Sequence, residues 1–296
     1  MRVIIFGKGF LGTTLYRSLL EEGHAVAVYS KRDVNYTSHD ALVDFLKKMP
    51  PGFVINASGF TGVPNVDAAE DNKELCWKLN AQVPATIATA IETAGGRHWL
   101  MHISSGCIYS GYDKDYTEED TPNFGLFNPE SSFYSKTKHA AETFLEGLPV
   151  FSFRLRIPFD GTLSHRNYFS KLIKYDSLIS VPNSVTCIDD FCSFVHQFIV
   201  KRGEQGERLP YGPYNVVNPG VVKAEDIVTA LRDHGVMNPN HRFIELSELN
   251  TKAKRSNVVL NTEKTASIGL ELPHVGESLR RCVKEFAERW RLEHGD

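Results

Sequence analysis

A hydroxyl (Ser105), a thiol (Cys107), a phenol (Tyr134) and an amine (Lys138) fall within the single stretch from Ser104 to Lys138. Tyr134 and Lys138 are i and i+4 in a helical pattern capped by Ser131 or Ser132, so they share one helix face. Ser105 and Cys107 follow the apolar run from Trp99 to Ile103, which reads as a buried strand. A phenol beside an ammonium can give a proton to a carbonyl oxygen, a hydroxyl can orient that oxygen, and a thiol near a cation can exchange a proton close to neutral pH. A YxxxK string arises readily by chance in a chain with 11 tyrosines, and its weight comes from following a strand that ends in Ser105. The four groups are read as one catalytic centre. His102, inside the strand, reads as a packed core histidine rather than a general base.

The elements that must position them begin at the N-terminus. Arg2 to Phe6 has the pattern of a strand buried on both faces, and it runs into Gly7-Lys8-Gly9-Phe10-Leu11-Gly12 and a helix from Thr13 to Glu22. The first glycine permits the tight turn, the second lets a pyrophosphate approach the backbone, and the third lets helix pack on strand, which makes this a dinucleotide site rather than a simple turn. A second strand, His24 to Tyr29, ends in Ser30-Lys31-Arg32 where an acidic residue would suit the ribose of NAD. Serine and two cations, with Lys8 as a third, suit a 2′-phosphate, so NADPH is expected. Asp33-Val34 reads as a very short third strand beside the adenine.

Further on, a helix from Ser38 to Lys48 and the turn Pro50-Pro51-Gly52 lead to a strand at Phe53 to Asn56. Ala57-Ser58-Gly59 at its carboxyl end is either clearance for the cofactor or an ordinary glycine turn. The loop Phe60 to Asn65, with Thr61 and Gly62, is placed to border a substrate. A long helix is expected from Val66 to Thr93, with Asn80 either in solvent or bonded inside. Ser110 to Ser132 reads as a long ordered loop whose Asp113, Asp115, Glu118, Glu119 and Asp120 are solvated charges, not a metal cluster. After the strand from Val150 to Arg156 the regular alternation stops. Residues 1–157 are taken as the cofactor domain, with Tyr214 to Asn218 returning as an added strand, and 158–296 as mainly a smaller substrate lobe.

With 296 residues and 42% hydrophobic content the chain can bury a full core. A formal net charge of -3 offers no broad basic field, which excludes nucleic acid as the expected partner. The five cysteines are scattered without zinc spacing and read as free thiols of a reducing compartment; no metal is expected. The first apolar run is too short for a signal peptide and none reaches the roughly 18 residues of a membrane span, so a soluble cytoplasmic protein is expected, with a homodimer compatible with it.

With the glycine turn, the Ser105/Tyr134/Lys138 set and the C-terminal lobe together, the chain resembles the extended short-chain dehydrogenase/reductases, an α/β class with a Rossmann doubly wound parallel sheet. Ser105-Gly106-Cys107-Ile108-Tyr109, Thr121-Pro122-Asn123-Phe124, Phe133 to Lys138, Pro182 to Thr186, Asn218 to Val222 and Arg255-Ser256-Asn257 narrow this to the bifunctional nucleotide-rhamnose synthase/epimerase-reductases, related to dTDP-4-dehydrorhamnose reductase. That resemblance implies 3,5-epimerisation of a UDP- or dTDP-linked 4-keto-6-deoxyglucose and NADPH reduction at C4. Tyr134 would protonate O4, with Ser105 beside it, while Lys138 lowers the phenol's pKa and bonds the nicotinamide ribose. Cys107 matches the epimerase cysteine, against an inert buried thiol. By the same resemblance its partner is Lys171, against a surface cation, with His165 as a rival.

The cofactor set is then Gly7, Lys8, Gly9, Phe10, Leu11, Gly12, Ser30, Lys31, Arg32, Asp33, Val34, Ala57, Ser58, Gly59, Asn80, Tyr134 and Lys138. The substrate set is Thr61, Gly62, Ser105, Gly106, Cys107, Asn167, Lys171 and Arg255. Ser105 stands where the family usually has threonine, and Cys187 departs from the pattern expected across Thr186 to Asp190. A 4-reductase without epimerase activity and a non-catalytic regulatory subunit of the same fold are the competing readings.

Overall fold

The computed structural model describes residues 1–63, 65–236, 241–249 and 251–295, so Pro64 of the expected substrate loop lies outside the described residues. Strand β1 (Arg2–Phe6), helix α1 (Phe10–Glu21), β2 (Ala25–Tyr29), α2 (His39–Lys48) and β3 (Gly52–Asn56) open the chain. Then come α3 (Ala68–Asp71), α4 (Lys73–Trp77), α5 (Val83–Thr93), β4 (His98–Ser105), β5 (Gly111–Tyr116), α6 (Phe133–Leu145) and β6 (Val150–Leu155). The rest holds β7 (Pro158–Phe159), α7 (Tyr168–Lys174), β8 (Ser177–Ile179), β9 (Thr186–Cys187), α8 (Ile188–Ile199), β10 (Gly212–Asn215), α9 (Ala224–Asp233), β11 (Arg242–Ile244), β12 (Val258–Leu260), α10 (Glu263–Ser267) and α11 (Val275–His294).

Six strands form one sheet in the order β10-β6-β4-β3-β1-β2, with every pairing parallel. This is a Rossmann-type doubly wound sheet, and its carboxyl ends collect the segments after β1, β2, β3, β4 and β6. Alternation along the strands divides the core: Val3, Ile5, Phe53, Ile55, Met101, Phe151 and Phe153 pack with Leu15 and Leu19 of α1 and Phe191, Phe194 and Phe198 of α8. Ile4, Phe6, Val54 and Leu100 face Leu42 and Leu46 of α2 and Ile87 and Ile91 of α5 on the other side. A separate cluster joins Phe159, Phe169, Leu172, Ile227, Val283 and Phe286 from β7, α7, α9 and α11. β10 lies at the sheet edge beside β6, and Leu270 and Leu272 also pack into the α1/α8 side of the sheet core.

Several expectations change. Asp33 and Val34 form no strand: the Asp33 carboxylate accepts from Ser30 N and Oγ, both at 2.8 Å, and closes a turn that drops Val34 into the core. The helix expected from Val66 to Thr93 is broken at Asn72 and again by a wide π-type turn at Lys78–Gln82, just ahead of Pro84. The loop from Ser110 to Ser132 contains β5, which pairs with β12. Glu118 within it is buried, not solvated, and accepts from Asn215 N at 2.6 Å, while burial raises its carboxyl above the ordinary range. All five cysteines are free and buried, and no helix among the described residues is long and apolar enough to cross a membrane.

Candidate active site

The glycine turn divides its work among three residues. Gly7 holds φ at +111°, and a side chain there would strike Ser58 N at 2.6 Å. A Cβ on Gly12 would lie 1.9 Å from the Gly7 carbonyl oxygen, so only glycine lets α1 pack so close to the turn. Gly9 is the N-cap of α1, has no side-chain cap and has nothing within 4 Å of where its Cβ would stand. Open space over uncapped helix amides is what a pyrophosphate requires. Phe10 and Leu11 follow in the first turn of α1, partly buried against the core.

At the end of β2, Lys8 forms an ion pair with Asp33 at 2.8 Å, and with the Ser30 bonds it holds the Asp33 carboxyl well below its usual range. Lys31 and Arg32 are exposed and have no ion pair among the described residues. Val34 is a core residue whose side chain packs in the cluster with Ile4, Phe6 and Tyr36. Ser58 bonds back to Asn56 Oδ1 at 2.6 Å, and Ala57 N continues the β1 pairing at 2.9 Å. Asn80 is buried within the π-type turn. Its Oδ1 accepts from Phe60 N at 2.7 Å, and its Nδ2 donates to Phe60 O, Cys76 Sγ and Thr137 Oγ1. Its polar atoms are thus taken up by protein and brace the backbone after Gly59, resolving the sequence's two options inward.

The four reactive groups do converge. Ser132 caps α6 by accepting from Ser135 N at 3.1 Å, which sets Tyr134 and Lys138 on the face turned to the end of β4. Ser105 neighbours the Tyr134 hydroxyl and acts against the rise in its pKa. Cys107 is buried in the tight turn after β4, its backbone N donating to Ser105 Oγ at 3.3 Å. Gly106 packs so close to Leu260 that a Cβ would meet that side chain at 2.5 Å.

Lys138 donates to Ile103 O at 3.0 Å and lies 6.0 Å from the Tyr134 ring centroid; burial lowers its pKa. Burial, followed by the neighbouring Cys107, pushes the Tyr134 phenol above its ordinary value. The cation opposing that rise is Arg156, where Lys138 was expected, because Lys138 points its ammonium at the strand carbonyl. His102 is fully buried beside Asn56, and desolvation holds it well below its usual pKa.

Arg156 was missed by sequence reasoning. It follows β6, is 7% exposed, and has no carboxylate partner among the described residues. Its Nη2 donates to Asn183 Oδ1 at 2.8 Å and to Ser256 O, while Nε has no partner. Burial lowers its pKa, with Cys107, Tyr168, Tyr112 and Tyr134 acting in the opposite direction. No spacing rule links these residues; only the topology brings them together.

The outer substrate set fares differently. Asn167 is wholly buried as the N-cap of α7, and its Nδ2 donates to Asp160 O and Thr162 O. Arg255 grips Asp67 with two bonds at 3.0 and 3.1 Å. Asn167 is fully occupied by protein and Arg255 has two of its donors held by Asp67; these partners, Asp160 and Asp67, carry no signal in the motif itself. Thr61 Oγ1 and Gly62 O are held by Arg166 at 2.9 and 2.7 Å. Lys171 is half-buried on α7, three residues after Tyr168 and hence on its face, and burial lowers its pKa; its rival His165 is exposed.

The profile of the RmlD substrate binding domain matches residues 1–288. The chain belongs to that family. It is 30% identical over 298 residues to the bifunctional dTDP-4-dehydrorhamnose 3,5-epimerase/dTDP-4-dehydrorhamnose reductase of Arabidopsis thaliana, covering 95% of this chain and 92% of that protein. It is equally 30% identical over 294 residues to a trifunctional UDP-glucose 4,6-dehydratase/UDP-4-keto-6-deoxy-D-glucose 3,5-epimerase/UDP-4-keto-L-rhamnose-reductase of the same plant, but spans only 41% of that protein's length. The structure of a UDP-rhamnose synthase from Acanthamoeba polyphaga mimivirus superposes with a TM-score of 0.82 at 24% identity, covering 96% of this chain and 99% of that one. A dTDP-4-dehydrorhamnose reductase from Bacillus anthracis in complex with NADP does so at 0.78 and 22%, over 99% of both chains.

Proposed function

We propose that this chain is an NADPH-dependent enzyme that epimerises C3 and C5 of a nucleotide-linked 4-keto-6-deoxyglucose and reduces C4 to give the L-rhamnose form. The observation that carries the reading is the gathering of Ser105, Cys107 and Tyr134 at the end of β4, with Cys107 buried two residues beyond Ser105 and Lys138 one turn beyond Tyr134. NADPH fits the residues present: α1 leaves uncapped amides and open space at Gly9, and Lys31 and Arg32, without an ion pair among the described residues, follow β2, where a 2′-phosphate would need them. When bound, it supplies the hydride. Residues 1–157 with β10 serve as the cofactor domain and most of 158–296 as the substrate lobe.

This chain's own groups then do two kinds of work. Protons at C3 and C5 are acidic because each carbon adjoins the C4 ketone, and their removal puts negative charge on O4. Tyr134 and Ser105 donate hydrogen bonds to that oxygen, and in the reduction Tyr134 gives O4 its proton. A phenol held above its ordinary pKa stays protonated and ready to donate. Lys138, fixed on Ile103 O, would present its remaining protons to the nicotinamide ribose. Cys107 and Lys171 exchange protons on the two sides of the sugar. The exposure of His165 favours Lys171, whose half-buried ammonium has no hydrogen bond among the described residues and a lowered pKa.

The test is to incubate the protein with UDP- and with dTDP-4-keto-6-deoxyglucose and NADPH, following nicotinamide absorbance and deuterium uptake at C3 and C5 by NMR. Hydride transfer with uptake at both carbons is expected. Cys107→Ser should abolish the uptake yet still reduce a substrate epimerised beforehand. Uptake unchanged in that variant removes the epimerase role of Cys107 and leaves a 4-reductase; no NADPH oxidation with either sugar removes catalysis and revives the regulatory-subunit reading.

A further inference from the structure

We propose that Cys187 and Cys282 are a redox-sensitive dithiol that closes to a disulfide and staples the start of α8 to α11. The inference goes beyond the catalytic reading and does not rest on it.

The fold, not local sequence, makes the pair. The two residues are 95 positions apart, yet their sulfurs lie 3.6 Å from each other. Cys187 ends β9 and is the N-cap of α8, while Cys282 lies in the first half of α11. Both are wholly buried in the cluster built by β7, α7, α9 and α11.

Polar bonds already fix the two backbones against each other. Cys187 N donates to Asn218 Oδ1 at 2.7 Å, and Asn218 Nδ2 donates onward to Ser278 Oγ of α11 at 3.1 Å. Asp190 of α8 accepts from Ser278 Oγ at 2.5 Å and from Arg281 Nη2 at 2.6 Å, both on α11. Closing the sulfurs from 3.6 Å to the about 2.05 Å of a disulfide therefore asks for side-chain movement between elements that are already docked.

The pair also lies just beneath the surface. Arg281 donates through Nη2 to Cys187 Sγ at 3.4 Å, and its side chain is 39% exposed. The exposed Asp189 places a carboxylate oxygen within 4.8 Å of both sulfurs. A small oxidant such as hydrogen peroxide has one layer of side chain to pass. The same surroundings disfavour a metal: two thiols and one carboxylate give three ligands where a structural zinc takes four, and the guanidinium sets a positive charge against any cation.

Peroxide oxidises one thiol to a sulfenic acid and releases a water; the second sulfur displaces the hydroxyl, forms the S–S bond and releases another. Two thiols and one peroxide thus give one disulfide and two waters, with two electrons passing from sulfur to oxygen. A bridge across so long a loop constrains the unfolded chain and so stabilises the folded one. It joins α8, which covers the sheet of the cofactor domain, to α11 of the C-terminal lobe.

The test treats the folded, fully reduced protein with hydrogen peroxide, blocks the remaining thiols with iodoacetamide and reads unreduced tryptic peptides by mass spectrometry. Peptide 175–201 should appear joined to peptide 282–284, with fragmentation placing the bridge on Cys187 and not on Cys192. The unfolding temperature should rise by several degrees and return with dithiothreitol. Cys282→Ala should lose that rise and Cys192→Ala should keep it. Recovery of Cys187 and Cys282 as separate alkylated thiols or sulfinic acids overturns the proposal. So does a bridge that forms only in urea, one that leaves the unfolding temperature unchanged, or a rise that survives in Cys282→Ala. The bridge itself is read in the unmutated protein, so no variant has to fold for the result to decide.

Discussion

Arg154, in β6, and Arg156, just after it, are both almost wholly buried, yet they live in opposite surroundings. Arg154 is gripped by Glu142 through Nε and through Nη2 at 2.6 Å, with Ser104 Oγ donating to the same carboxylate at 2.5 Å and Tyr109 close on its other side. That carboxylate is the main influence holding the Arg154 guanidinium above its ordinary pKa, although burial works against it. One step closer to the sheet's carboxyl edge, Arg156 has only neutral acceptors among the described residues, and burial lowers its pKa. A paired buried cation is part of the scaffold; an unpaired one is an electrostatic resource for whatever charge appears beside it. The glycine turn repeats the contrast at lower burial, with Lys8 committed to Asp33 and Lys31 and Arg32 uncommitted.

The comparison can be broken in four places. The largest effect on rate belongs to Tyr134→Phe, which should cost about a hundred- to ten-thousand-fold in NADPH oxidation while leaving the urea midpoint unchanged; a fall in that midpoint would mean the site and scaffold are not separate. Arg154→Leu should lose about 3–5 kcal/mol in urea unfolding by stranding Glu142, and adding Glu142→Leu should recover most of it. If the double variant is as unstable as the single one, the pair is not what holds that end of β6. Arg156→Gln should cost about 1 kcal/mol or less, since two bonds to neutral oxygens are lost but a buried unpaired charge is relieved. A loss matching that of Arg154→Leu would put both arginines in the scaffold.

The smallest effect is expected from Asp33→Asn. The Asp33 carboxyl titrates below its ordinary 3.8 in the folded chain, so its contribution is fully present above that value and is lost as the pH falls through the lower, folded one. The small stability gap between wild type and variant should therefore be equal at pH 7 and pH 5 and close only below about pH 4, as thermal unfolding would show. With Lys8 released, the preference for NADPH over NADH should rise a few-fold; a fall would show that the Lys8–Asp33 pair itself shapes the 2′-phosphate site.

What the sequence made legible was local. Gly7, Gly9 and Gly12 act within one turn, and Tyr134 and Lys138 within one turn of helix, so their spacing alone carries their geometry. Ser105 and Cys107 were readable because an apolar run delivers them to a strand end. Arg156, Tyr112 and Tyr168 come from β6, β5 and α7, which meet only after the sheet closes, and no periodicity records that meeting. At Asn167 and Arg255 a matching motif identified the residues but not their partners Asp160 and Asp67, which are remote or unpatterned. Asp33 was misread as strand because its side chain, not its neighbours' hydrophobicity, decides the backbone there.

One face of the sheet built by residues 2–155 is covered by α8, and its core is completed only by β10, Leu270 and Leu272. During synthesis, at about 5–20 residues per second, Phe151 and Phe153 leave the ribosome well before their cover does. The nascent chain carries an open aromatic face for several seconds, and ribosome-bound chains stopped near residue 200 should recruit chaperones that chains stopped after Leu272 no longer need.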